Sequence, residues 1–134
     1  MKGRAARGTK KAEKATAKVV FQNALAEALP FPDAQFDVVT TTVMLHHLPK
    51  KTRQACVQEI RRALKPGGRV LAVDFDESSR HSFISRFHRH SYVNFADLLA
   101  LMTDAGLQHL NSGAVGLNNL QFVLAEKPAD GAAR

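Results

Sequence analysis

The sequence has one cysteine, one tyrosine, no tryptophan and no long uninterrupted apolar run. The lone Cys56 rules out an intrachain disulfide and a Cys-x-x-Cys zinc or redox site. Crossing a bilayer as a helix takes about 18 or more consecutive apolar residues, and nothing here approaches that. The N-terminus is basic but has neither the apolar core of a signal peptide nor transit-peptide character. A reducing, cytoplasmic setting is therefore expected. Glycine is also sparing: the eight stand at 3, 8, 67, 68, 106, 113, 116 and 131, and no two flank a single residue. The Gly-x-Gly turn that brings backbone close to a nucleotide-like cofactor is absent.

What is present is globular in character. The 134 residues are 45% apolar and 23% charged, which suits one soluble domain. The net charge of +7 hints at nucleic acid, but its distribution does not. Residues 1–18 carry seven basic side chains against Glu13 alone, and the other 116 residues carry 12 basic and 11 acidic ones. No aromatic residue interleaves with the basic run to stack on bases. Nucleic-acid binding through this arm is only a remote reading.

Residues 1–18 read as a solvated basic helix or a disordered arm, residues 19–127 as the domain, and 128–134 as a flexible tail. Val19-Val20-Phe21 has a short strand signal. Pro30 and Pro32 bias their predecessors to extended geometry, so residues 29–33 form a structured loop. The run from Phe36 to Val43 is β-branched almost throughout and reads as a strand buried on both faces. Lys51–Leu64 places Val57, Ile60, Ala63 and Leu64 at helical spacing, and Pro66-Gly67-Gly68 stops it. Arg69–Phe75 is a second core strand. Asn94 can cap a helix carrying Leu98 and Met102, with Gly106 closing it. Leu107–Leu110 and Leu120–Ala125 are strand-like. Such alternation means an α/β sheet with helices on its faces.

Three motifs carry a family resemblance: Asn23-Ala24 before LPFPD, FDVV followed by small residues and LHHL, and LKPGGRV before a strand. Together, in this order, they resemble the class I S-adenosylmethionine-dependent methyltransferases, in the type 11, ubiquinone/menaquinone-biosynthesis-like branch, over about residues 10–127. The resemblance implies a Rossmann-like methyltransferase sheet of order 3-2-1-4-5-7-6. It implies S-adenosylmethionine as cofactor and methyl transfer to a small-molecule acceptor.

Residue by residue, it implies cofactor binding by Asn23, Ala24, Thr41 and Thr42. Asn23 stands where the family has Asp, and its carboxamide oxygen can accept the same adenine hydrogen bond. Ala24 would offer its backbone N–H, and the two threonines would line the methionine end. No catalytic residue is assigned. His46 and His47 follow the strand, where packing or capping competes with a role as general base. Asp74 and Asp76 read as exposed strand-end carboxylates. His81, His88 and His90 with Arg80, Arg86 and Arg89 form a basic face or lid, and no metal site is expected because His88 and His90 diverge on a helix.

The family's first strand, glycine loop and acidic second-strand end have no counterpart. Residues 10–22 resemble its second helix and third strand, so the chain is expected to begin inside the domain, a truncated or split form. Either Val19–Phe21 then finds a new partner, or the FDVV strand becomes an open apolar edge. Such an edge invites a homodimer or a complementing chain bearing the missing loop.

Overall fold

The computed structural model describes residues 2–76, 92–117 and 119–129. The basic face or lid expected at residues 80–90 lies outside them, as does the tail from 130 onward. Helix α1 spans Lys2–Lys14, so the arm is helical. Strand β1 is Phe36–Thr42, helix α2 Lys50–Ala63, strand β2 Leu64–Phe75, helix α3 Phe95–Asp104, and strands β3 and β4 are Gln108–Ala114 and Leu120–Glu126. They form one mixed sheet of order β1-β2-β4-β3. β1 and β2 are parallel, while β4 runs antiparallel to both β2 and β3.

Alternation along β2 positions the core. Val70, Ala72 and Asp74 are buried, while Arg69 is exposed and Leu71, Val73 and Phe75 are half-buried. β4 answers in register, with Ala125 opposite Val70 and Val123 opposite Ala72. Helices α2 and α3 cover this face: Val57 and Ile60 from one, Leu98 and Met102 from the other, share a single apolar cluster with the strands.

α2 ends at Ala63, three residues before Pro66, and the chain is already in β2 at Leu64. The Pro-Gly-Gly run therefore shapes the start of a strand rather than the end of a helix. Leu64 to Arg69 faces only Phe36 to Val38 across the ladder, so residues are looped out there. Gly67 takes a φ of +81°, where a side chain is strained. A Cβ on Gly68 would stand 2.8 Å from the Lys65 carbonyl oxygen. The pair is locked to β4 by Gly67 N–H donating to Lys127 O at 2.7 Å and Lys127 N–H donating to Gly68 O at 2.8 Å.

α3 has the ends its sequence announces. Asn94 Oδ1 accepts from the Asp97 N–H at 3.0 Å. At the other end Leu107 N–H donates to Met102 O and Gly106 N–H to Thr103 O, around Gly106 at φ +91°. That pairing satisfies the last carbonyls of the helix.

Two strand expectations are corrected. Val19–Phe21 pairs with nothing in the sheet and is exposed, Val20 to 90%. Such residues form a strand only where a neighbouring strand takes their backbone groups, and among the described residues no strand pairs with them. β1 is not buried on both faces: it is an edge strand, with Val38 61% exposed and Thr41 alone buried. Its composition is that of an interior strand, but among the described residues no strand pairs with its other side.

Cys56 lies in the core at 2% exposure. Burial, and then the charges of Glu27 and Glu59, push its thiol up from 9.0 to about 11. The folded state thus favours the neutral thiol more than the unfolded chain does. Its contribution is complete below pH 9 and is lost as the pH rises toward 11, on the order of 2–3 kcal/mol. Urea midpoints should fall over that window, and Cys56→Ser should flatten the fall. A thiol reagent at pH 8 should label the chain only after denaturation.

Candidate functional site

The carboxyl ends of β1 and β2 lie side by side because the two strands are parallel. In open α/β sheets that rim is where ligands bind. Beyond Thr42, Val43 turns the chain at φ +51°, its N–H still held by Val73 O at 2.8 Å. One turn of 3-10 helix follows at Leu45–His47, and Pro49 leads into α2. Leu45 anchors the turn in the core at 1% exposure. Arg53, one turn into α2, fixes it from outside, donating to the carbonyls of Leu45 at 3.2 Å and Leu48 at 3.3 Å.

This clamp sets His46 against the end of β2. His46 Nδ1 lies 2.7 Å from Asp74 Oδ1, and its backbone N–H donates to Asp74 Oδ2 at 3.2 Å. The Phe75 N–H donates to Oδ1 at 2.8 Å. Asp74 is fully buried and His46 8% exposed. The expectation of an exposed Asp74 is thus overturned: it follows Val70 and Ala72 on the inward phase of β2, and three donors offset its loss of water. That phase was the signal in the sequence that would have found it. Asp76, two residues on, is half-buried and bridges to Val93. His47 stays exposed, its ring 3.9 Å from that of His46.

Beside the two histidines opens a cavity of about 480 Å³, with Leu48, Lys50, Tyr92 and Leu101 among its walls. Sequence reasoning did not anticipate the α2 and α3 contributions, because they meet the rim only through tertiary packing.

The expected cofactor residues fall into two places. Thr41 and Thr42 end β1 at the rim. Thr41 is buried, and its Oγ1 has no hydrogen-bond partner among the described residues. Burying a hydroxyl without a partner costs free energy, so the position fits a polar group from a ligand. Asn23 and Ala24 lie exposed on an irregular segment. The loop after them is pinned to α2: Arg62 donates to the Leu29 and Phe31 carbonyls and to Asp33. Glu59 accepts from Arg62 and from the Leu29 N–H. Hydrogen bonds from Arg62, and then that from Leu29, hold the Glu59 carboxyl below its usual range. The residues present thus fit one side of a cofactor cradle, at the β1 rim.

Comparison with known proteins gives a consistent answer. A family model described as "Methyltransferase domain" matches residues 2–72. The 27-O-demethylrifamycin SV methyltransferase of Amycolatopsis mediterranei is 47% identical over 58 residues, 43% of this chain and 21% of that protein. The ubiquinone/menaquinone biosynthesis C-methyltransferase UbiE of Shewanella frigidimarina is 33% identical over 85 residues, 63% of this chain and 33% of that protein. The crystal structure of an S-adenosylmethionine-dependent methyltransferase from Methanosarcina mazei superposes with a TM-score of 0.73 at 21% identity, covering 85% of this chain and 69% of that one. The matched segments span a fifth to a third of the curated relatives' lengths.

Proposed function

The chain belongs to the methyltransferase-domain family whose model matches its residues 2–72, and from that premise we propose that it takes part in S-adenosylmethionine-dependent methyl transfer to a small-molecule acceptor. The observation that carries this reading is the buried Thr41 hydroxyl near the carboxyl end of β1, without a hydrogen-bond partner among the described residues. When bound, S-adenosylmethionine supplies an electrophilic methyl group on a sulfonium.

The chain's own residues would act as follows. Thr41 Oγ1 donates to a polar group at the methionine end, with Thr42 beside it on the rim. Asn23 accepts from the adenine amino group through its carboxamide oxygen, and Ala24 leaves room for the ring next to its N–H. Alignment of nucleophile, methyl and sulfur is the chief requirement of such a transfer, and the rim contributes it by position. A cytoplasmic site of action accords with a buried, unpaired Cys56.

Calorimetric titration of S-adenosylhomocysteine into the folded chain tests this. Micromolar affinity, about −8 kcal/mol, is expected. Asn23→Ala should weaken it, and Thr41→Val should weaken it several-fold while leaving the melting temperature unchanged or higher. That split arises because the valine removes a hydroxyl unpaired in the free protein. A chain that melts cooperatively yet takes up no S-adenosylhomocysteine would refute unaided binding.

One observation favours a second reading. Among the described residues β1 is a sheet edge with Val38 61% exposed, and Val19–Phe21 joins no strand of the sheet. A split or truncated methyltransferase, inactive until a second chain or second copy pairs with that edge, accounts for both features. Binding of S-adenosylhomocysteine that grows with protein concentration, alongside a doubled mass in light scattering, would select it.

A further inference from the structure

Arg62 stands in the last turn of α2. A guanidinium has five N–H donors in a planar fork, and here all five are used. Nε donates to Glu59 Oε1 at 2.9 Å, and Nη1 to the Phe31 carbonyl and to Asp33 Oδ1, each at 2.8 Å. Nη2 donates to the Leu29 carbonyl at 3.1 Å and to Glu59 Oε2 at 2.8 Å. The same Glu59 oxygen accepts from the Leu29 N–H. One side chain and its carboxylate partner thus fix the loop 29–33 at Leu29, Phe31 and Asp33. The backbone continues the attachment, with Ala34 N–H donating to Arg62 O and Gln35 N–H to Ala63 O. Those two carbonyls belong to the end of α2, where the helix supplies no partners of its own.

Apolar burial contributes little to holding this loop. From residue 22 to residue 35 only Ala26, Leu29 and Phe31 are half-buried, and the rest are exposed. Ala26 packs against the core cluster, and the Phe31 ring meets that of Phe36 edge-on at 5.0 Å. Ordering exposed backbone costs entropy at every residue, and little buried surface is gained in return. What the clamp fixes is the place of the segment just before it. Ala28 N–H donates to Leu25 O, a turn that joins Asn23 and Ala24 directly to the anchored Leu29.

Resting on the methyl-transfer reading above, in which Asn23 and Ala24 meet the adenine ring, we propose that Arg62, its fork held by Glu59, is the positioning residue of the adenine end and sets a preference for a 6-aminopurine. The carboxamide of Asn23 carries both an acceptor and donors, so it can rotate to suit an amino or an oxo group. The Ala24 N–H has no such choice. On the ring edge beside the amino group it requires a nitrogen with a free lone pair, which N1 of adenine has. In a 6-oxopurine that nitrogen carries a proton, and two N–H groups would face each other. Discrimination therefore depends on where the backbone stands, and Arg62 determines that.

Calorimetric titration of the full chain with S-adenosylhomocysteine and with S-inosylhomocysteine tests this. The wild-type chain should bind the adenosyl compound about tenfold more tightly or better, the effect of one donor left unmet. Arg62→Lys keeps the charge but offers a point in place of a fork. It should bind S-adenosylhomocysteine about tenfold more weakly and S-inosylhomocysteine nearly as before, so that the ratio approaches one. If Arg62→Lys does not melt cooperatively, Asp33→Ala removes a single contact at an exposed residue and should lower the ratio by about threefold. A wild-type ratio in the folded variant, whatever its melting temperature, makes the clamp a matter of stability alone and overturns the proposal. Equal affinity of the wild-type chain for both compounds overturns it too. Uptake of neither compound by the folded wild-type chain instead marks failure of the methyl-transfer reading, and the proposal falls with it.

Discussion

Asp74→Ala is expected to destabilise the fold by about 3–5 kcal/mol, because three buried donors lose their acceptor at about 1–3 kcal/mol each. Asp74 is fully buried and receives the His46 ring N–H, the His46 backbone N–H and the Phe75 N–H. Alanine leaves these donors facing protein in place of an acceptor, and each unmet group carries its own desolvation cost. Domains of this kind are stable by only about 5–15 kcal/mol, so a large share of the total is at stake. Urea denaturation measures it. A loss below about 1 kcal/mol would mean that water reaches the pair and replaces the carboxylate. His46→Ala should cost less, since Asp74 keeps both backbone donors, and the two changes together should fall short of the sum of each alone.

Leu98→Ala should cost about 2–5 kcal/mol, the range for a fully buried leucine. The side chain is 0% exposed and belongs to the cluster joining α3 to β2 and β4. α3 has ten residues, too few for an isolated helix to persist in water, so packing is what maintains it. Asn94, Asp97 and Leu101 of the cavity wall stand on this helix or at its cap. Loss of Leu98 should therefore show in two measurements: a lower denaturation midpoint and a loss of helical circular dichroism before the main transition. Leu101→Ala, at a half-buried position of the same helix, should cost distinctly less. Equal costs would contradict the burial assigned to Leu98.

These effects bear on function through the same atoms. The pair that closes the end of β2 also orients the imidazole beside the cavity, and the helix packed through Leu98 forms the opposite wall. Strained or incompletely satisfied groups tend to gather where a protein works, and two are found near this rim. They are Thr41 Oγ1, unpaired among the described residues, and Val43 at φ +51°. The first fits a ligand to come; the second aims the LHHL turn at β2.

By itself the sequence determined what depends on neighbours along the chain. Helical spacing from Lys51 to Leu64 located α2 within a residue at each end. Asn94 and Gly106 bounded α3, because capping is settled within a few residues. The motif order, and the lack of any Gly-x-Gly, were also legible without coordinates. What the sequence left undecided depends on who stands alongside. β1 reads as an interior strand from its side chains, yet its burial follows from the number of strands beside it, and the sheet stops there. Val19–Phe21 has the side chains of a strand and no ladder to join. His46 and Asp74 are 28 residues apart, and only the parallel register of β1 with β2 closes that distance to 2.7 Å. Hydrogen bonding and desolvation act across space, so the tertiary structure alone turned two ordinary residues into a buried pair.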